Sequence, residues 1–239
     1  MGAIQTDPTG MFGPSLNMDI SDITFKANKI GSNDTSNVIK NGDQIILPEG
    51  TALITVKDGV LTGLVTQAGM YTFKGKSNQL AFYINITYIP NNKFGMPNEI
   101  FWNDYYYGTL LQANYYGTYT IQIIDPLLII KNLITIDYFT ESSKNFNMND
   151  EDSDLANMLF NQVVSANAAI LDKYSNEYST SGLNIVNEPQ VFATMLNDSL
   201  EDSNSWNSVY GIKISDAHID GFNLNESSKA FIEAYEKEN

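Results

Sequence analysis

His218 is the one histidine of the 239-residue chain, and two carboxylates lie close to it in the sequence, at Asp216 and Asp220. A histidine oriented by a carboxylate can act as general base for a serine nucleophile. A lone histidine in a strand is more often structural or simply exposed, so a hydrolase that uses His218 or a carboxylate pair is the minor alternative. With one His and no Cys, the sequence excludes thiolate metal sites and two-histidine metal centres within one chain.

An acidic run over residues 150–154 has Asp at the first, third and fifth positions, as the start of a calcium-binding loop does. The following residues do not match the pattern of a calcium-binding loop, because Leu155 stands where the tight turn needs glycine and Asn161 stands where the bidentate glutamate is needed. The run therefore indicates a solvated helix cap. Phosphate-binding, dinucleotide-binding, serine-nucleophile and zinc-protease motifs are missing from the sequence. We predict no catalytic residue, no cofactor and no metal.

Two tyrosine clusters, Tyr105-Tyr106-Tyr107 and Tyr115-Tyr116, could stack on sugars or bases. In a β-rich chain, aromatic side chains more often pack across strands or cover one face of a sheet. A soluble glycan-binding module that uses these tyrosines is therefore the alternative function.

The charge balance limits the possible partners. Thirteen Lys and Arg against 28 Asp and Glu give a formal net charge of −15. Such a chain repels phosphate backbones and anionic lipid, so we expect neither nucleic-acid binding nor direct lipid binding. A hydrophobic share of 43% and a charged share of 17% are typical of a globular protein. No apolar run reaches the ~18–20 residues that cross a bilayer.

The first residues, Met1 to Thr6, fit the loose pattern for N-myristoylation at Gly2. A single acyl chain anchors a protein only marginally without a basic patch, which this acidic chain lacks. We therefore do not expect a lipid anchor.

The first half of the sequence has the alternation of β-strands. Residues 51–56 and 60–65 flank Asp58-Gly59, a strong signal for a hairpin. Residues 110–124 alternate so that one face is apolar, whereas residues 90–99 read as a turn-rich connector. The predicted apolar face comprises Ala113, Tyr115, Gly117, Tyr119, Ile121 and Ile123.

The second half is predicted to be helical. Asp125-Pro126 is a helix-start pair, since Asp caps free N–H groups and Pro fits the first helical position. Apolar residues recur at helical spacing from Leu155 to Tyr174, and Asn187-Glu188-Pro189 begins a further helix. Residues 209–219 read as a late strand, and Asn225 caps a last helix.

These elements predict an α+β fold. We expect an N-terminal arm over residues 1–30, a β-rich subdomain over residues 31–145, and a helical subdomain with one late strand over residues 146–239. We also expect the β-rich block and the helices to pack together.

Three segments resemble the SPFH (band 7, prohibitin-like) domain, in its bacterial virion-core-protein-like (YdjI-like) branch. The first spans residues 37–52, with Glu49-Gly50 before a strand, and continues at Gly69-Met70-Tyr71-Thr72. The second, Asn92-Lys93-Phe94-Gly95-Met96-Pro97-Asn98, resembles an NKFGTP motif and departs from it at Met96. The third runs from Gly117 to Leu128 through Asp125-Pro126. The resemblance covers roughly residues 30–236 in matching order.

The resemblance implies a non-catalytic scaffold that self-associates on or beside membranes. Members of this branch are linked to envelope stress and reach the membrane through integral partners, so we expect a homo-oligomer that is cytoplasmic and peripherally membrane-associated. The family implies no catalytic residues. Its motif positions here, with structural roles such as a turn at Gly95 and a helix start at Asp125, are Glu49, Gly50, Gly69, Phe94, Gly95, Asp125 and Pro126. Family members often continue into a long coiled coil or a zinc ribbon, and the given sequence departs from that pattern in having neither heptads nor Cys.

Overall fold

The computed structural model describes residues 10–14, 19–33, 35–140 and 144–238, so the acylation pattern at Met1 to Thr6 lies outside the described residues. The strands are β1 (Met11–Pro14), β2 (Asp22–Lys29), β3 (Val38–Ile39), β4 (Gln44–Leu47), β5 (Thr51–Lys57), β6 (Val60–Val65), β7 (Gly69–Thr72), β8 (Gln79–Asn85), β9 (Tyr88–Gly95), β10 (Ile100–Asp104), β11 (Thr109–Ile123), β12 (Phe146–Asn147) and β13 (Ile212–Leu224). The α-helices are α1 (Pro126–Asn132), α2 (Asp154–Asn167), α3 (Ile170–Tyr178), α4 (Pro189–Asn204) and α5 (Glu226–Glu238). Short 3₁₀ segments cover Ile136–Phe139 and Gly182–Asn187, and a π-helical turn covers Trp206–Tyr210.

The α+β fold class is confirmed, and the chain divides into two compact units. The first contains residues 1–87 and 125–147, and the second contains residues 88–124 and 148–239. The expected boundary near residue 145 differs from this division, because β9 and β11 belong with the helices. The cause is long-range strand pairing: β11 pairs with β13, about one hundred residues later in the chain.

The sheet of the first unit has the strand order β6-β5-β8-β2-β1-β4-β7, with β3 paired to β8 and β12 paired to β2. Only residues 66–68 separate β6 from β7, the two ends of this order. The sheet must therefore curl so that its ends approach each other. We expected an arm over residues 1–30, but β2 lies in the middle of this sheet, because Ile23, Phe25 and Ala27 are fully buried strand residues.

Both faces of β5 and β8 are covered in this unit. On one face Phe25 stacks on Tyr83, with 5.5 Å between the ring centroids. On the other, Phe82 meets Phe139 of the 3₁₀ segment edge to face at 5.4 Å. The predicted β5–β6 hairpin is confirmed, and its turn has positive φ at Asp58 (49°) and Gly59 (76°), the geometry of tight hairpin turns.

The second unit is built on β11. This strand pairs with β13 along one side and with β10 and then β9 along the other. The predicted face of β11, from Ala113 to Ile123, is buried at every alternate residue. The prediction of a turn-rich connector over residues 90–99 was wrong up to Gly95, because burial of Asn92 and Phe94 and pairing with β11 make Tyr88–Gly95 a strand.

Helices cover the buried face of this second sheet. The ring centroid of Phe192 in α4 lies 5.9 Å from that of Phe94. The Tyr115 hydroxyl donates a hydrogen bond of 2.8 Å to the carbonyl oxygen of Asn167, the last residue of α2. The late strand begins at Ile212 rather than residue 209, because the π-helical turn that precedes it buries Trp206. Within the described part of the chain, no helix has the length and apolar character needed to cross a membrane.

Candidate functional site

The turn between β10 and β11 carries a group of exposed aromatic side chains. Tyr105 and Tyr106 are 58% and 56% exposed, and Phe231 of α5 is 39% exposed. Tyr107 and Tyr235 are half-buried beneath them. We call these five residues the aromatic surface. It is formed within the second unit, by two segments that are more than one hundred residues apart in sequence.

Four of the five rings of the aromatic surface pack against one another. Tyr106, Tyr107 and Tyr235 contact each other edge to face, with centroid distances of 5.0, 5.2 and 5.9 Å. Phe231 stacks beside Tyr235 at 6.2 Å. Edge-to-face packing of this kind holds the rings in fixed orientations. The surface can therefore offer flat, ordered ring faces to another molecule.

Glu236 adds a carboxylate to this surface. The hydroxyl of Tyr107 donates to Oε1 of Glu236 at 3.2 Å. Burial, and then this hydrogen bond to a carboxylate, raise the pKa of Tyr107 to about 12. The phenol therefore stays neutral at physiological pH and remains a donor to Glu236.

Helix α5 is attached to the start of β11 through Asn225 and Ser228. The amide of Asn225 donates to the Gln112 carbonyl at 3.0 Å, and the Ser228 hydroxyl accepts from the Gln112 amide at 2.9 Å. Asn225 also caps the helix, as predicted, by accepting from the Ser228 amide at 2.9 Å. These bonds place Phe231 and Tyr235 beside the turn. The sequence analysis missed this pairing, since nothing in the local pattern connects residue 112 with residue 225.

Asp104 supports the turn from below. Its side chain is 2% exposed, and its Oδ2 accepts from the Trp102 indole (2.9 Å), the Ser181 hydroxyl (2.8 Å) and the Gly182 amide (2.8 Å). Its Oδ1 accepts from the Tyr107 amide at 3.1 Å. A buried carboxylate with four donors is fully satisfied, so it ties the turn firmly to the 3₁₀ segment.

A second attachment joins the turn to α3. The amide of Tyr105 donates to the Ser175 hydroxyl at 2.8 Å, and that hydroxyl donates to the Thr180 carbonyl at 2.6 Å. One residue before Asp104, the Asn103 amide donates to Asp172 at 2.9 Å. The backbone that carries the exposed tyrosines is therefore fixed at several consecutive positions.

The structure separates the second tyrosine pair of the sequence analysis. Tyr115 is 1% exposed and lies in the core, where burial raises the pKa of its phenol. Tyr116 is 49% exposed on the opposite, outer face of the sheet. The two residues therefore do not form a joint stacking site.

His218 lies on that outer face, opposite Thr118. Its Nε2 is 2.9 Å from Oδ2 of Asp216, and both side chains are substantially exposed. Among the described residues this is the one hydrogen bond of the ring, and no serine or threonine hydroxyl is bonded to it there.

The acidic run precedes α2, where Ser153 is the N-cap and accepts from the Ala156 amide at 3.2 Å. Oδ1 of Asp150 accepts from the Asp152 amide at 3.1 Å. In the residues that the structure describes, no group of three or more His, Asp or Glu is placed to hold a metal ion.

The motif residues of the first unit have separate local positions. Glu49 and Gly50 form the turn before β5, where Gly50 has φ of +76° and a Cβ would lie 2.2 Å from the Thr87 side chain. Gly69 begins β7. Asp125 caps α1 by accepting from two backbone amides, and Pro126 is the first residue of that helix.

The remaining two motif residues lie in the second unit. Phe94 is 3% exposed and packs against Tyr115 and Tyr119, with 5.9 and 6.5 Å between the ring centroids. Gly95 was expected in a turn, but it is the last residue of β9 and pairs with Tyr116, since the strand continues through the motif. The seven motif residues are thus distributed over both units, five in the first and two in the second.

Comparison with known proteins places these observations in a family. A family model described as SPFH domain-Band 7 family matches residues 67–237, well over half of the chain. No curated protein matches the chain significantly.

Proposed function

Because this chain belongs to the SPFH domain-Band 7 family, we propose that it acts as a non-catalytic scaffold, which self-associates and is recruited to a membrane by an integral membrane protein. Proteins of this family are generally membrane-associated scaffolds. The observation that carries the proposal is the aromatic surface. Its exposed tyrosines are held in fixed orientations on a turn that is itself fixed by hydrogen bonds, and exposed tyrosines of this kind are typical of protein-binding surfaces.

Recruitment by a protein rather than by lipid follows from charge. With a net charge of −15, the chain is repelled by anionic membrane surfaces. An integral partner would supply the attachment and leave the chain on the cytoplasmic side. We further propose that the chain belongs to the bacterial virion-core-protein-like branch and acts in envelope stress, on the strength of the Asn92–Asn98 and Gly117–Leu128 segments.

Fractionation of the native host tests the proposal. The protein is followed into membrane and soluble pools, with and without its neighbouring membrane proteins, at rest and under envelope stress. A membrane pool that disappears when one integral protein is deleted supports recruitment and identifies the partner. A wholly soluble, monomeric protein in all conditions overturns it.

Two variants connect the membrane pool to the aromatic surface. We expect Tyr106→Ser to reduce the membrane pool, because it removes an exposed ring from the centre of the surface. Tyr88→Ser is the matched control, since Tyr88 is 60% exposed on the same unit but away from this surface. Equal loss in both variants would argue against the aromatic surface as the binding site.

The second candidate function is a soluble glycan-binding module. The exposed rings of Tyr105 and Tyr106 favour it, since aromatic faces can stack on sugars. It predicts binding on a glycan array that is lost in Tyr106→Ser and retained in Tyr88→Ser.

A further inference from the structure

From its rings and the Glu236 carboxylate, we infer that the aromatic surface binds a Lys/Arg-rich segment of a partner, of the kind that flanks the membrane spans of integral proteins on the cytoplasmic side. This inference rests on the proposed function, and it names the chemistry of the partner. Cytoplasmic loops near membrane spans carry an excess of Lys and Arg, so any integral partner of a cytoplasmic scaffold presents such a segment.

The rings provide the first half of the recognition. A guanidinium or ammonium group within about 6 Å of a tyrosine or phenylalanine centroid is attracted by the negative face of the ring. Tyr106 contacts Tyr107 and Tyr235 edge to face, which orients its ring while leaving 56% of the residue exposed. Tyr105 in the β10–β11 turn and Phe231 in α5 provide further exposed ring area.

The second part of the recognition of a cationic segment is a carboxylate beside the rings. Glu236 is exposed, and the Tyr107 hydroxyl holds its carboxylate at the aromatic surface. The helix also carries two lysines: Lys229 Nζ lies 3.0 Å from Oε1 of Glu226, and Lys237 is exposed but lies on the side of α5 away from Tyr235, two residues after it. Exposed rings beside the Glu236 carboxylate, on a chain of charge −15, match a cationic segment and oppose an anionic lipid surface.

Peptide binding to the full chain tests this inference. The probe is a fluorescent peptide of about 15 residues, the length over which the positive charge beside a membrane span is counted. It has Arg interspersed with Ser and Gly, and its partner peptide has Gln in place of each Arg. We expect the Arg peptide to bind, the Gln peptide not to bind, and the affinity to fall steeply with salt.

Variants separate the contribution of the ring from simple hydrophobic contact. Tyr106→Leu should weaken Arg-peptide binding by about two- to fivefold, the size of one exposed cation–π contact, whereas Tyr106→Phe should bind normally. Tyr88→Leu is the matched control and should bind normally. Glu236→Gln should weaken binding, and Glu233→Gln, an exposed glutamate two residues before Tyr235 and therefore on the other side of α5, should weaken it less. Thermal melting confirms that each variant is folded.

Three results would overturn the inference: equal binding of the Arg and Gln peptides, equal loss in the Tyr106→Leu and Tyr88→Leu variants, or Tyr106-dependent binding to phosphatidylserine or phosphatidylcholine vesicles, which would assign the surface to lipid. The proposed function fails separately. If Tyr106→Ser loses the membrane pool but the Arg peptide does not bind, recruitment stands and the cationic segment is wrong. If the peptide binds but no membrane pool exists in any condition, the scaffold proposal is wrong.

Discussion

Removal of the Asp104 carboxylate should destabilise the second unit more than any other single change at the turn. In Asp104→Ala, the Trp102 indole and the Gly182 amide lose their acceptor while they stay buried. A buried donor without an acceptor costs about 1–3 kcal/mol. Two such donors predict a loss of about 4 kcal/mol in the free energy of unfolding, equivalent to a fall of roughly 10 °C in melting temperature.

The Asp104→Asn variant distinguishes acceptor geometry from the presence of any polar group. Its amide oxygen can take the place of Oδ2 and accept from Trp102, Ser181 and Gly182, but its amide nitrogen then faces the Tyr107 amide, which loses its acceptor. Loss of this bond, and weakening of the remaining bonds because they are no longer assisted by charge, predicts a loss of about 1–2 kcal/mol in the free energy of unfolding, at most half of the effect of alanine.

Urea unfolding followed by tryptophan fluorescence is the assay. Both tryptophans of the chain, Trp102 and Trp206, belong to the second unit, so their emission reports the unfolding of the part that contains Asp104. Asp220→Ala is the control, because this exposed aspartate makes no hydrogen bond among the described residues, and it should change stability by less than about 0.5 kcal/mol. An Asp104→Ala protein within about 1 kcal/mol of wild type would refute the reasoning.

Three further substitutions test local features of the fold. Asp125→Ala removes the cap of α1 and should cost about 1 kcal/mol, measured by circular dichroism, and an unchanged melting temperature would contradict this. Hydrogen bonding from Ser208 holds the pKa of Glu201 below its ordinary value. The ionised Glu201 therefore stabilises the fold fully above pH ~4.5, and this contribution is lost as the pH falls through the lowered pKa. Glu201→Gln should melt at a lower temperature than wild type at pH 7, and the difference should vanish in acid. Gly117→Ala would place a Cβ 1.9 Å from the His218 carbonyl oxygen and should cost roughly 3 kcal/mol or more. Gly95→Ala, with its nearest neighbour at 3.8 Å, should stay within about 1 kcal/mol in the same urea assay.

Elements specified by local chemistry could be predicted from the sequence. The Asp58-Gly59 turn, the Asp125 cap and the Asn225 cap all depend on residues within a few positions of one another, and each forms as expected. The alternating face of β11 could be predicted for the same reason, since a period of two is visible in the sequence itself.

Features that depend on distant pairing could not be predicted. The role of β2 as a central strand comes from its pairing with β8 and β1, while its local composition is polar. The site shows the same limit. The sequence identified Tyr105, Tyr106 and Tyr107 as a group, but their contact with α5 depends on bonds between residues 112 and 225. No periodicity carries that information.

The combination of a buried Asp104 and exposed tyrosines has a consequence for binding. Association is opposed by the entropy lost when side chains and loops become ordered. Here the turn is already held by the Asp104 bonds and by Ser175, and the rings are oriented by each other. Tyrosine also loses little conformational freedom, having two rotatable side-chain bonds. A rigid turn beneath an exposed ring cluster therefore lets modest contacts yield useful affinity, as the proposed binding of a cationic partner segment requires.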